Sequence, residues 1–253
     1  MPSTSTPHTP PQKVVLVTGA AQRIGAAICR ELHQRGFAIV IHYRQSSTAA
    51  LALAEQLNAI RADSARCVSA DLNSSNDIHA LATAATQCWG RIDALVNNAS
   101  SFYPTTLASA SEADWDALIN SNLKGPFFLS QALIQPLLQH QGSIVNIIDI
   151  HAEKPMLGYP IYSIAKAGLA MMTKTLAREL APNIRVNGVS PGAIIWPEPE
   201  PNEEDKSLLL NTVPMQRLGE ASDIAKTVAF LIEDAPYVSG QIIAIDGGRS
   251  LNM

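Results

Sequence analysis

Tyr162 and Lys166 stand four positions apart in the run YSIAK, a spacing that on a helix puts both side chains on one face. A phenol and an ammonium so placed can move a proton. A free tyrosine has a pKa of about 10, and lowering it by some three units takes roughly 4 kcal/mol. One ammonium at about 4 Å, in an effective dielectric near 20, supplies energy of that order. The spacing therefore leads us to expect that Lys166 draws the Tyr162 phenol toward neutrality. YxxxK by itself is common on solvated helix faces; a second constellation far upstream gives this one its weight. Residues 18–25 read TGAAQRIG, between a β-rich apolar run and an amphipathic stretch. The unpaired N–H groups and positive dipole end of a helix start stabilise a pyrophosphate. Gly19 permits the tight turn, and Gly25 lets helix and cofactor approach closely.

The end of the second apolar run decides which dinucleotide fits. A carboxylate there would bind the ribose 2′-hydroxyl and repel a 2′-phosphate. The segment instead reads His42, Tyr43, Arg44, Gln45, Ser46, Ser47, and the next acidic residue is Glu55, within a helix-like stretch. Arg44 and the Ser46 hydroxyl suit a phosphate, so the expected cofactor is NADPH.

These residues need a scaffold that alternates strands and helices. Apolar β-rich runs occur at 14–18, 37–42, 92–97, 143–148, 184–189 and 242–245, and helix-like segments at 23–35, 48–61, 76–89, 115–139, 162–181 and 222–233. Near-continuous apolar runs fit parallel strands covered on both faces. Alternation with right-handed crossovers gives an α/β, Rossmann-type doubly wound sheet of about seven strands. Residues 13–253 are expected to form a single domain, because one core of this class reaches about 250 residues. The stretch 191–214, with Pro197, Pro199, Pro201 and the acidic Glu203, Glu204 and Asp205, reads as an irregular substrate loop or lid. Residues 1–12 (MPSTSTPHTPPQ) read as a disordered tail without the apolar core of a signal peptide.

Composition narrows the classes further. A net charge of −4 and no basic tract argue against nucleic acid. No apolar run approaches the roughly 20 residues of a membrane span. Cys29, Cys67 and Cys88 are too scattered for a disulfide framework or a metal site, which points to reduced thiols in the cytoplasm.

The ordered series of motifs resembles the short-chain dehydrogenase/reductase family. TGAAQRIG is similar to that family's TGxxxGxG turn, with Arg23 in place of the middle glycine. Asp71, in the run Ala70–Asp71–Leu72, matches the acidic residue near the adenine; Asn97, Asn98, Ala99 and Ser100 match NNAG with serine for the last glycine; Asn122 matches the helix asparagine of the proton path. The family carries a serine thirteen positions before its tyrosine, and here that position holds Asp149. A hydroxyl there donates to a ketone oxygen, whereas an ionised carboxylate repels the developing oxyanion. An aspartate suits a nitrogen-rich heterocycle.

Asp149, the Arg23 turn and the run NNASSFYP at 97–104 together resemble the pteridine reductase subgroup, over a stretch running from Val14 to DGGRSL at 246–251. The resemblance implies hydride delivery from NADPH to a pterin or folate ring held between the nicotinamide and Phe102. It makes Asp149, Tyr162, Lys166 and Asn122 catalytic, and Arg23, Ser100, Phe102, Asp149 and Tyr162 substrate contacts. The expected cofactor contacts are Gly19, Arg23, Ile24, Gly25, Tyr43, Arg44, Ser46, Asp71, Leu72, Asn98, Ala99, Ser100, Tyr162, Lys166, Pro191 and Gly192. It also implies a homotetramer. The competing expectations are a dihydromonapterin reductase, a general NADPH carbonyl reductase, and a non-catalytic NADP sensor on the same fold.

Overall fold

A computed structural model describes residues 12–196 and 200–252. The tail expected over residues 1–12 lies outside the described residues except for Gln12, and so do Pro197 and Pro199 of the expected lid.

Seven strands form one parallel sheet: β1 (Val14–Val17), β2 (Ala38–Tyr43), β3 (Ala65–Ser69), β4 (Ala94–Asn97), β5 (Ser143–Ile147), β6 (Arg185–Pro191) and β7 (Ile242–Ile245). Their order is β3-β2-β1-β4-β5-β6-β7, and every neighbouring pair is parallel. The apolar runs are continuous because both faces are covered; all four residues of β1 are buried. Val15, Val17, Ile39 and Ile41 face Ile28 and Leu32 of α1 (Arg23–Gln34), Leu53 of α2 (Ser47–Ile60) and Val228 of the helix at Ala221–Ala229. The alternate residues Val14, Leu16 and Val40 meet Ile78 and Leu81 of α3 (Ser75–Trp89) and Leu129 of a helix at Gly125–Ala132 on the opposite face. The doubly wound architecture follows.

Three elements differ from the sequence reading. β3 carries Arg66 and Ser69 and, among the described residues, pairs only with β2 at the sheet edge, so its polar pattern hides it from a search for apolar runs. The single helix expected over 115–139 is four pieces: α4 (Glu112–Ile119), a π turn (Asn120–Lys124), α5 (Gly125–Ala132) and α6 (Ile134–Gln139). Pro126 and Pro136 lack the N–H that the carbonyls of Asn122 and Ala132 would accept, and the helical ladder changes pitch or stops there. Within the stretch expected to be irregular lies α8 (Glu203–Asn211). The Asn202 side chain accepts from Asp205 N at 2.8 Å, and Glu203, Glu204 and Asp205 occupy the first turn. The acidic cluster is thus a helix start, where negative charge is favoured. The two remaining helices are α7 (Pro160–Glu179) and α9 (Ala221–Ala229).

Sheet order reverses between β1 and β4, and open parallel sheets bind ligands at the carboxyl ends of strands flanking such a switch. Among the described residues no helix is long and apolar enough to cross a membrane.

Candidate active site

The turn from β1 into α1 is built by close contacts that only glycine allows. Gly19 has φ 58°, and a Cβ there would come within 2.8 Å of the Ala99 Cα. A Cβ on Gly25 would lie 2.4 Å from the Gly19 carbonyl oxygen and 2.7 Å from Asn98 Nδ2. The end of β4 clamps the turn. Thr18 Oγ1 accepts from the N–H groups of Asn98 at 2.9 Å and Ala99 at 3.0 Å. Asn98 Nδ2 in return donates to the carbonyls of Thr18 at 2.9 Å and Gly19 at 3.0 Å. Arg23 opens α1 with φ 53°, in the left-handed region that glycine would occupy without strain. Its guanidinium is exposed and reaches the Trp196 carbonyl at 3.4 Å.

From this turn a cleft of about 420 Å³ runs between the strand ends. It is lined by Gly19, Arg23, Ile24 and Gly25 of the turn, by Tyr43, Arg44, Ser46, Asp71 and Leu72 at the ends of β2 and β3, and by Asn98, Ala99, Ser100 and Ser101 after β4. Its donors fit a dinucleotide. Arg44 is exposed, and Ser46, the residue before α2, makes no side-chain capping hydrogen bond, leaving a hydroxyl and a cation at a helix start. Asp71 is engaged locally, accepting from Asn73 N at 3.0 Å.

At its Ser100 end the cleft meets the proton-transfer residues. The π turn brings the fully buried Asn122 to this edge; its Oδ1 accepts from the Ser100 hydroxyl at 2.7 Å, and its Nδ2 donates to the Ser101 carbonyl at 2.9 Å and the Leu118 carbonyl at 3.0 Å. The Tyr162 hydroxyl donates to Asp149 Oδ2 at 2.7 Å, while Asp149 Oδ1 accepts from His151 N at 2.9 Å. Lys166 is 2 % exposed, and its Nζ donates to the Ile147 carbonyl at 3.0 Å, lying 5.6 Å from the centre of the Tyr162 ring.

This arrangement corrects one expectation. The phenol is not drawn toward neutrality by Lys166. Burial and the Asp149 carboxylate push the Tyr162 pKa above its ordinary value, offset only in part by a hydrogen bond with Ser100. Burial also draws the Lys166 ammonium down to about 8, against the opposing attraction of Asp149. A low-dielectric pocket disfavours both charged forms, and the partner of the phenol is a carboxylate.

Phe102 is half exposed; its ring stacks on Tyr159 with centroids 4.7 Å apart and an interplanar angle of 9°, and meets Tyr162 edge-on at 4.9 Å. An ordinary core phenylalanine would be enclosed. Pro191 ends β6, and the Gly192 N–H after it donates to the Ile245 carbonyl at 3.0 Å, where a Cβ on Gly192 would lie 2.5 Å from the Asp246 Cβ; of the expected cofactor contacts, Tyr162, Lys166, Pro191 and Gly192 do not line the cleft. Thr18 and His42, quoted in the motifs but given no role there, both hold the turn. Thr18 was legible as the polar residue ending β1, but His42 was hidden because a buried strand histidine carries no pattern of its own.

The chain matches the family described as enoyl-(acyl carrier protein) reductase over residues 19–250. It is 37% identical to pteridine reductase 1 of Leishmania tarentolae, over 96% of this chain and 98% of that protein. It is 36% identical to the 3-oxoacyl-[acyl-carrier-protein] reductase FabG of Staphylococcus aureus, over 93% and 97%, and to the 3-oxoacyl-[acyl-carrier-protein] reductase of Synechocystis, over 93% and 96%. Fold, turn and these matches together define a class: the chain belongs to the short-chain dehydrogenase/reductase family. It is an NAD(P)-dependent reductase of that family.

Proposed function

We propose that this protein is an NADPH-dependent pterin reductase. The observation that carries the reading is the 2.7 Å hydrogen bond from Tyr162 to Asp149, at the position where a carbonyl reductase of this family places a serine hydroxyl. Two acceptor oxygens on Asp149 repel the oxyanion of a reacting ketone, and they accept well from the amino and ring N–H donors of a pterin.

Gly19, Arg23, Ile24 and Gly25 hold the phosphates, Arg44 and Ser46 with the backbone at Tyr43 hold the 2′-phosphate, and Asp71 and Leu72 flank the adenine. Asn98, Ala99, Ser100, Tyr162 and Lys166 would hold the nicotinamide ribose. When bound, NADPH supplies the hydride. The chain's own residues handle protons and position. The Tyr162 phenol, pushed up by burial and Asp149, keeps its proton across neutral pH and stands beside the ring as a neutral hydroxyl. Asp149 orients that hydroxyl and accepts from the ring, and Asn122 fixes Ser100 beside it. Phe102 offers the pterin a half-exposed ring beside Tyr162, with one face already stacked on Tyr159; an aromatic pair is worth about 0.5–1.5 kcal/mol beyond area burial.

Residues 13–253 act in this reading as one reductase unit, a cytoplasmic homotetramer with 191–214 as the substrate lid. The contact from Arg23 to the Trp196 carbonyl supports the lid, because it ties the phosphate turn to a residue of that stretch.

The test is NADPH oxidation by the wild-type protein with dihydrobiopterin, biopterin and dihydrofolate, run beside an acetoacetyl thioester and a simple ketone, and repeated with NADH. Faster turnover of a pterin with NADPH is the expected result. Turnover of the thioester alone would replace this reading with a 3-oxoacyl reductase.

A further inference from the structure

We infer that His42 is a positioning residue for the phosphate-binding turn, acting through its Nδ1 lone pair. Nδ1 lies 3.2 Å from the Gly19 nitrogen and Nε2 lies 3.1 Å from the Ala70 carbonyl oxygen. A backbone N–H only donates and a carbonyl only accepts. The two contacts therefore require one tautomer, with Nδ1 bare and the proton on Nε2. The ring bolts the first glycine of the turn to the end of β3, across β2. A third bond, from Ala20 N to the His42 carbonyl at 2.9 Å, grips the following residue. Gly19 and Ala20 thus give their N–H groups to His42, and the later N–H groups of the turn and of α1 are left to face a phosphate.

The same geometry makes the turn sensitive to protonation, since an imidazolium cannot accept from Gly19. His42 is 2 % exposed, and burial holds its pKa below the ordinary histidine value against the pull of the Ala70 carbonyl and Asp71. Asp71 after β3 is the charged group that acts on it directly; Asp77 on α3 accepts from Asp71 N, and Arg44 and Arg23 line the same cleft.

The inference rests on the cofactor reading above, and two substitutions separate them. In His42→Asn the amide oxygen takes the place of Nδ1 and keeps an acceptor for Gly19 that does not titrate. In His42→Gln the amide reaches toward Ala70 and leaves Gly19 without its acceptor. NADPH affinity is measured by fluorescence titration from pH 5 to 8, with a melting curve for each protein. The dissociation constant of His42→Gln should rise about tenfold at pH 8, the size expected for one lost buried acceptor, while His42→Asn stays within about threefold of wild type. As pH falls, wild type should weaken relative to His42→Asn; that ratio cancels the titration of the 2′-phosphate itself. Equal affinities for both variants with a pH-independent ratio would overturn the role of His42. If His42→Gln does not fold, His42→Ala, which also removes the acceptor for Gly19, takes its place in the comparison with His42→Asn at pH 8. Wild-type protein that binds no NADPH at all would sink the cofactor reading instead.

Discussion

The hydroxyl of Tyr162 and the carboxylate of Asp149 share a hydrogen bond of 2.7 Å, and this pair sets the protonation of the site. Asp149 sits at the end of β5, anchored through His151 N, and Tyr162 sits in the first turn of α7. The carboxylate favours the protonated phenol twice over, as a hydrogen-bond acceptor and as a nearby negative charge. The pair therefore holds the phenol in its protonated form near neutral pH.

Lys166 is a buried amine whose ammonium is drawn down from 10.5 to about 8. Between these values the unfolded chain binds the proton and the folded chain does not, so stability rises with pH across the window. The gain is fully present above pH 10.5 and lost as pH falls through about 8. Urea unfolding of wild type and Lys166→Met at pH 7.5 and pH 10 should show wild type gaining on the variant by about 2–3 kcal/mol. A constant difference at both pH values would mean that the amine is not desolvated as described.

Arg44 and Ser46 carry the choice of dinucleotide in this account. Arg44→Ala removes charge-assisted hydrogen bonds of about 1.5–3 kcal/mol, so KM for NADPH should rise roughly 10- to 100-fold. KM for NADH should stay within about twofold. Parallel rises for both dinucleotides would show that Arg44 does not read the 2′-phosphate.

Gly25→Ala places a methyl 2.4 Å from the Gly19 carbonyl oxygen and 2.8 Å from the Ala20 Cα, both backbone atoms. Overpacking of this kind costs about 1–3 kcal/mol, and the turn must open to relieve it. NADPH affinity should fall at least tenfold, measured by titration, with a lowered melting temperature. Wild-type affinity would mean that the turn is looser than these contacts require.

Phe102→Ala removes the exposed ring beside Tyr162 and Tyr159. KM for a pterin should rise about three- to tenfold, in line with an aromatic contact of about 0.5–1.5 kcal/mol, with KM for NADPH unchanged. A fall in kcat with unchanged KM would assign the ring to holding Tyr162 instead.

Much of this molecule is written in short-range patterns. The buried strands announce themselves as unbroken apolar runs, and the glycines of the turn by their place between β1 and α1. What was hidden depends on context that one strand or helix does not carry. Among the described residues β3 has only one sheet neighbour, so its exposed positions are polar. α8 opens on an asparagine cap and three carboxylates that resemble a solvated loop until the hydrogen bond from Asp205 N is seen. The spacing of Tyr162 and Lys166 located the catalytic helix, but not the balance of charge around it. Burial of both groups and the carboxylate from β5 reversed the expected direction of the phenol's shift. His42 was invisible for a similar reason: its two ring contacts join Gly19 and Ala70, each more than twenty residues away.

The central claim is that the carboxylate at 149 selects a nitrogen heterocycle over a ketone. It is tested most directly by steady-state turnover of dihydrobiopterin and of an acetoacetyl thioester, with NADPH, by wild type and Asp149→Ser side by side. The account predicts that the substitution lowers kcat/KM for the pterin at least 100-fold, raises the ratio of thioester to pterin turnover, and leaves the NADPH dissociation constant within twofold. Undiminished pterin turnover by Asp149→Ser would contradict it.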